Sequence, residues 1–248
     1  MRLRLIALLL LVPLPLTYAQ PDSATIGAIV DNVQFDKEMT TALVRVLNQS
    51  GKDITGFDIS VDVRYRNGRI KHFERLVELL PKMVFQQTIH HSPVLGEGSL
   101  RPGKIEDVTI NLVPPTDKNL VLSAEIKVDM VAYMDLSAEG QNQEAVGRLV
   151  ALRKGHVEAD MKAAEIISTA AADTVTPDPR GMALRQLRQL QSEQEKRNDD
   201  TGGFSIELQA IIHDLERDQN VDLKSFARRR NEDAVVKSSH TRIGGREN

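Results

Sequence analysis

The stretch Phe57-Asp58-Ile59-Ser60-Val61-Asp62-Val63-Arg64-Tyr65-Arg66-Asn67-Gly68 alternates apolar and polar residues from its first position to Arg66. Successive side chains on a strand point to opposite faces. Phe57, Ile59, Val61, Val63 and Tyr65 therefore share one face, and Asp58, Ser60, Asp62 and Arg64 share the other. The pattern predicts a strand with one face in a core and one in water. Asn67-Gly68 then separates it from a second strand-like run, Arg69 to Val77. Asn-Gly tolerates the positive φ that a type I′ turn needs at both central residues, so the two runs are expected to form a hairpin.

The period of two extends outward from Ala24 to about Leu136. On the N-terminal side, Ile26, Ala28 and Val30 mark a first strand. Ala42, Val44 and Val46, alternating with Leu43, Arg45 and Leu47, mark a second that is covered on both faces. On the C-terminal side, Leu79 to Ser99 is broken by Pro81, Pro93, Gly96 and Gly98, and reads as a loop with a short strand at Val84 to Ile89. Ile105, Val108, Ile110 and Leu112 change phase once, which predicts a bulge at Glu106-Asp107. Leu120, Leu122, Ala124, Ile126, Val128 and Met130 then alternate with Ser123, Glu125, Lys127 and Asp129 in a long last strand. Six or seven strands in roughly 110 residues read as an antiparallel, immunoglobulin-like β-sandwich over residues 24–136.

After Gly140 the period becomes helical. Val146, Leu149, Val150, Val157, Met161, Ala164 and Ile167 fall on one stripe of a helix from Gln143 to Ala172, opposite Arg148, Arg153, Lys154, Glu158 and Lys162. Asp178-Pro179 starts the next helix, with Asp178 as its cap. Phe204, Leu208, Ile211, Ile212 and Leu215 form a third, and Asp222 caps a fourth that runs through Arg230. The expected organisation is a β-sandwich, a separate α-helical region over residues 141–230, and a polar, disordered tail over residues 231–248.

The first residues carry an address. Arg2 and Arg4 precede an apolar run from Leu5 to Leu16, and Thr17-Tyr18-Ala19 has the small residues that signal peptidase accepts. Cleavage is expected between Ala19 and Gln20, because the run is too short to span a bilayer, which takes roughly 20 residues. Losing Arg2 and Arg4 moves the formal net charge from −3 to −5. That mild acidity excludes a dedicated nucleic-acid binder. An exported chain with no cysteine must hold together by core burial alone, which fits a periplasmic or secreted bacterial protein.

Val46-Leu47-Asn48-Gln49-Ser50-Gly51-Lys52-Asp53-Ile54, the alternating strand that ends in Tyr65 and Asn67-Gly68, and Leu100-Arg101-Pro102-Gly103 together resemble the small bacterial immunoglobulin-like domains of the FxLYD type. The likeness covers roughly Thr40 to Val113. The Phe-x-Leu-Tyr-Asp string itself is absent, and Leu79 to Ser99 reads as an insertion. The resemblance implies a fold, and a binding or spacer role on an exported protein. It carries no functional residue.

The residues supply no catalytic, cofactor-binding or metal-binding set. His90-His91, with His72, is the nearest approach to a metal cluster, yet adjacent histidines on a strand point apart, and they read as exposed side chains. No Gly-x-Ser-x-Gly, Gly-x-Gly-x-x-Gly or phosphate-loop motif occurs. Arg228-Arg229-Arg230 with Lys224 reads as a solvated helix end. The expectation is a non-enzymatic interaction or structural module of the cell envelope, partnered by another envelope protein or by itself through the long helix. The rivals are a metal-dependent hydrolase with its site in the 79–99 loop and a peripheral protein holding anionic lipid through 224–230.

Overall fold

The structure is a computed structural model that describes residues 26–80, 99–112, 121–197 and 202–243. The leader with Ala19 and Gln20, the strand expected at Val84–Ile89, and His90-His91 lie outside the described residues. The chain is a β + α protein. Its strands are β1 (Ala28–Phe35), β2 (Thr41–Asn48), β3 (Ile54–Tyr65), β4 (Ile70–Glu78), β5 (Ile105–Asn111), β6 (Val121–Tyr133) and β7 (Ala138–Gly140). Four helices follow: α1 (Gln143–Ala172), α2 (Pro179–Arg197), α3 (Gly203–Arg217) and α4 (Leu223–Ser238). The strands form two antiparallel sheets, ordered β1-β2-β5 and β4-β3-β6-β7.

The alternation in β3 builds the first core as expected. Phe57, Ile59, Val61, Val63 and Tyr65 are buried with Ala42, Val44 and Val46 of β2 and Val108 and Ile110 of β5. The turn sequences converge on Asn48: its side-chain amide donates to the carbonyls of Lys52 (2.8 Å) and Leu100 (2.6 Å). Its carbonyl oxygen accepts from Ser50 N at 2.9 Å. A buried amide satisfied on both ends fixes the β2–β3 connection.

The opposite face of β3 is not left to water. Asp58 and Ser60 are buried, because α1 lies across the outer side of the four-stranded sheet. Ala145, Val146 and Leu149 pack on Met130 and Ala132 of β6, and Ile243 closes the cluster. Gly56 makes room for this: a Cβ there would stand 3.1 Å from Leu149. The helices are therefore docked on the β layers.

Other expectations are corrected. The β3–β4 hairpin forms, but only Gly68 has positive φ (83°). Gly68 N donates to Tyr65 O at 3.0 Å and Tyr65 N to Arg69 O at 2.9 Å, a three-residue loop with its glycine at the bulge. Asn67 stays right-handed because its side chain accepts from Arg69 N at 3.0 Å. The β2–β5 register runs unbroken from Thr41–Asn111 to Leu47–Ile105, so no bulge occurs at Glu106-Asp107. Ile105 simply faces outward beside Leu47. In β6 a register shift between Arg64 and Tyr65 puts Val121 in the core and leaves Leu122 exposed. The last strand pairing extends past residue 136, since β7 pairs with β6 through Met130–Gly140.

Helix boundaries follow the caps. Asp178 accepts from Gly181 N at 2.8 Å and Asp222 from Ser225 N at 2.9 Å. The region expected to be a disordered tail is corrected over its first part: α4 continues to Ser238, and Ala234, Lys237 and Ile243 are buried. Helix continuation there rests on tertiary burial, which a polar local sequence conceals.

Candidate functional site

The side of α1 that meets the rest of the chain is rotated from the expected stripe. Its buried positions are Ala145, Val146, Leu149, Arg153, His156, Ala159, Asp160, Ala163, Ala164, Ile167 and Ala170. Arg153, His156 and Asp160 continue the apolar seam at helical spacing, while Met161 is turned out, 56% exposed. Gly155 lets α3 cross close by, since a Cβ there would stand 2.7 Å from Phe204 N.

Arg153 joins three parts of the molecule. Its Nε donates to Glu78 Oε2 of β4 at 2.8 Å, Nη2 to Thr55 Oγ1 of β3 at 3.0 Å, and Nη1 to His240 O beyond α4 at 3.0 Å. Such a planar fork satisfies a carboxylate and two oxygens at once.

Between α1, α3 and α4 lies a closed cluster of charge. Lys237 Nζ donates to Asp160 Oδ2 at 2.6 Å and stands 3.0 Å from Glu207 Oε1. His156 Nδ1 is 2.8 Å from Glu207 Oε2. Arg230 Nη1 reaches Glu207 (3.4 Å), Asp160 (3.6 Å) and Asp233 (3.7 Å), and its Nη2 reaches Asp214 at 3.9 Å. Burial first, and then the charge of Glu207, push the Asp160 carboxyl up to about 7. Burial also works on Glu207, but His156 and Lys237 outweigh it and hold that carboxyl down to about 2. Two carboxyls driven apart in this way resemble an acid and a base. Here both are shut inside the helical layer, Asp160 with no exposed surface, so the arrangement fastens helices to one another.

A second cluster sits where α1 meets the sheet. Arg148 pairs with Glu74 and lies 3.6 Å from Asp58, and Asn142 donates to Glu74 at 2.9 Å. Burial, reinforced by Glu74, raises Asp58 to about 6. His72 Nδ1 is 2.9 Å from Asp62 and Nε2 is 3.7 Å from Glu74. The bond to Asp62 raises the pKa of His72. Among the described residues no group of three or more His, Asp or Glu side chains is placed to hold a metal ion, and no helix is long and apolar enough to cross a membrane.

The basic run at 224–230 is divided by its helix. Lys224 and Arg228 face solvent. Arg229 lies over the Phe226 ring at 5.6 Å, and Arg230 lies over it at 5.2 Å while turning into the buried acids.

What faces outward is a groove of about 530 Å³ along α1 beside α4. From α1 it is lined by Lys154, Val157, Glu158, Met161, Lys162 and Glu165, and from α4 by Asn231 and Ser238. Val235, 71% exposed, lies on α4 between those last two. The groove is apolar at its centre and alternately charged along its rim. Its described lining combines aliphatic, charged and small polar side chains, the make-up of a contact surface. Sequence reading put Val157 and Met161 on one stripe with Val146, Leu149 and Ile167 and opposite Lys154, Glu158 and Lys162, whereas the groove brings the first two together with those charged residues. The usable signal was the charged set Arg153, His156 and Asp160 at i, i+3 and i+7, mirrored by Arg230, Asp233 and Lys237 on α4.

Comparison of the chain with protein-family models, curated proteins and solved structures finds no match in any of the three.

Proposed function

We propose that the chain is an exported, non-enzymatic interaction module of the bacterial cell envelope, built on an immunoglobulin-like sandwich that carries a docked helical layer. The strand order supports the immunoglobulin-like reading. With β1, β2, β3, β5, β6 and β7 taken as A, B, C, E, F and G, the sheets are A-B-E and C-F-G, and β4 adds to the C edge as a C′ strand does. The leader residues support export, and the absence of cysteine fits it. The observation that carries the functional reading is the groove on α1. Three sets of ion pairs hold that helix by its inner side, while its outer side offers exposed Met161 and half-buried Val157 beside charged side chains. An exposed apolar patch with a charged rim marks a contact site.

The test is fractionation combined with a photo-crosslinking residue placed at Met161, at Val235, or at Leu122 on the sheet as a control. The expected result is a chain starting at Gln20 in the envelope or exterior fraction, with adducts of discrete mass from Met161 in the groove and Val235 beside it, and none from Leu122. A chain retained inside the cell with its Met1, or adducts as frequent from Leu122, contradicts the reading. So does a hydrolase activity that disappears on changing His72, His90 and His91.

A further inference from the structure

The face of α1 lining the groove is its own electrostatic complement. In chain order it reads Lys154, Glu158, Lys162, Glu165 at the rim, with Val157 and Met161 between. Laid antiparallel about a two-fold axis near residues 159–160, Lys154 falls opposite Glu165 of the second helix and Glu158 opposite Lys162. The apolar pair then meets its counterpart at the axis. A parallel arrangement sets like charges against each other and is disfavoured. Lys162 has a partner at home in Glu158, at 2.6 Å. Lys154 and Glu165, three helical turns apart, have no ion-pair partner among the described residues.

We propose that α1 docks antiparallel on α1 of a second copy of this chain, with Val235 of α4 flanking the contact. The proposal rests on reading the groove as a binding surface and names its occupant. The commitment to a second copy follows from the charge order. A partner of one sign meets repulsion at every other rim position, whereas the same face turned around meets attraction at all of them. A two-fold contact uses each pair twice, so Lys154–Glu165 acts at both ends. The contact spans about three helical turns with one flanking helix. That is small beside a permanent dimer interface, so the dimer is reversible and its fraction grows with concentration.

The experiment is sedimentation velocity or light scattering on the chain purified after export, over a wide concentration series. The expected mass climbs from one copy to two. Lys154→Glu alone, or Glu165→Lys alone, weakens association on the order of tenfold, because each turns two surface attractions into repulsions. The double variant Lys154→Glu/Glu165→Lys restores it. Both positions are solvent-facing, so circular dichroism should be unchanged in all three. Since the chain has no cysteine, Met161→Cys adds an independent reading: it should give a disulfide-linked pair under mild oxidation, where Leu122→Cys does not. A monomer at every concentration, a dimer indifferent to the single changes, or a double variant that fails to recover overturns the proposal. If the chain is monomeric while groove positions still cross-link another protein, the second copy is wrong and the interaction-module reading stands. If those positions cross-link nothing, both fall.

Discussion

At the residue scale the closed cluster makes a prediction about pH with a sign opposite to common acid denaturation. Folded Asp160 keeps its proton to about 7 against an ordinary 3.8, so raising the pH through that interval draws a proton from the unfolded chain first and favours unfolding. Asp58, raised to about 6, acts in the same direction. His72, raised from 6.5, also contributes stability that is lost as the pH climbs through its folded pKa. Glu207, lowered from 4.5 to about 2, acts the other way, but only below about 4.5. The urea midpoint should therefore be higher at pH 5 than at pH 7.5, reflecting a stability difference on the order of a few kcal/mol carried mainly by Asp160 and Asp58. Asp160→Asn, which can still accept from Lys237, should flatten most of that slope at little cost. Lys237→Met removes the cation shared by two buried carboxylates and should cost about 3–5 kcal/mol at neutral pH. A rising midpoint between pH 5 and pH 7.5 in the unaltered chain would refute this account of the cluster.

At the scale of elements, two glycines of α1 should respond in opposite ways. A Cβ at Gly155 meets Phe204 N at 2.7 Å, whereas a Cβ at Gly147 meets nothing within 4 Å. Gly155→Ala should push α3 away and destabilise by about 1–3 kcal/mol. Gly147→Ala should gain up to about 1 kcal/mol from helix propensity alone. Equal effects measured by denaturant unfolding would mean that α3 does not cross α1 at that turn. The ends of α1 were legible because Gly140 breaks the strand period and Asp173 to Pro179 breaks the helical one. Its inward face was not. Hydrophobicity alone ranks Val157 and Met161 above Arg153 and Asp160, yet the polar pair is buried, because Glu78, Thr55, Lys237 and Arg230 satisfy it from other elements. That information is non-local. For the same reason the polar sequence of α4 read as disordered past Arg230, although Asp233 and Lys237 are buried among charges. By contrast the β3 alternation and the Asn67-Gly68 turn are local statements, and the hairpin formed where they put it, with only the turn type changed.

At the scale of the whole molecule, the question is whether β layers and helices unfold together. Leu149 and its neighbours give the contact between them some apolar area and Arg148 pairs with Glu74 at its margin, but Arg153 is the buried link, through Glu78 and Thr55 on the sheet and the His240 carbonyl beyond α4. Arg153 is 2% exposed, so its replacement cannot be repaired by water. Arg153→Met strands the Glu78 carboxylate at the seam and should cost about 3–5 kcal/mol. The loss falls on the seam rather than within either layer, so calorimetry, expected to show one transition in the parent, should show two in the variant. Hydrogen exchange should show α1 and α4 opening before β3 and β6. Adding Glu78→Gln to Arg153→Met removes the stranded charge and should recover part of the loss, because an unpaired buried ion costs more than a missing pair. If the double variant is as unstable as the single one and still unfolds in one step, apolar packing around Leu149 is what couples the layers. In that case the coupled unit is the contact of Met130 and Ala132 with α1, and Leu149→Ala should then split the transition where Arg153→Met did not.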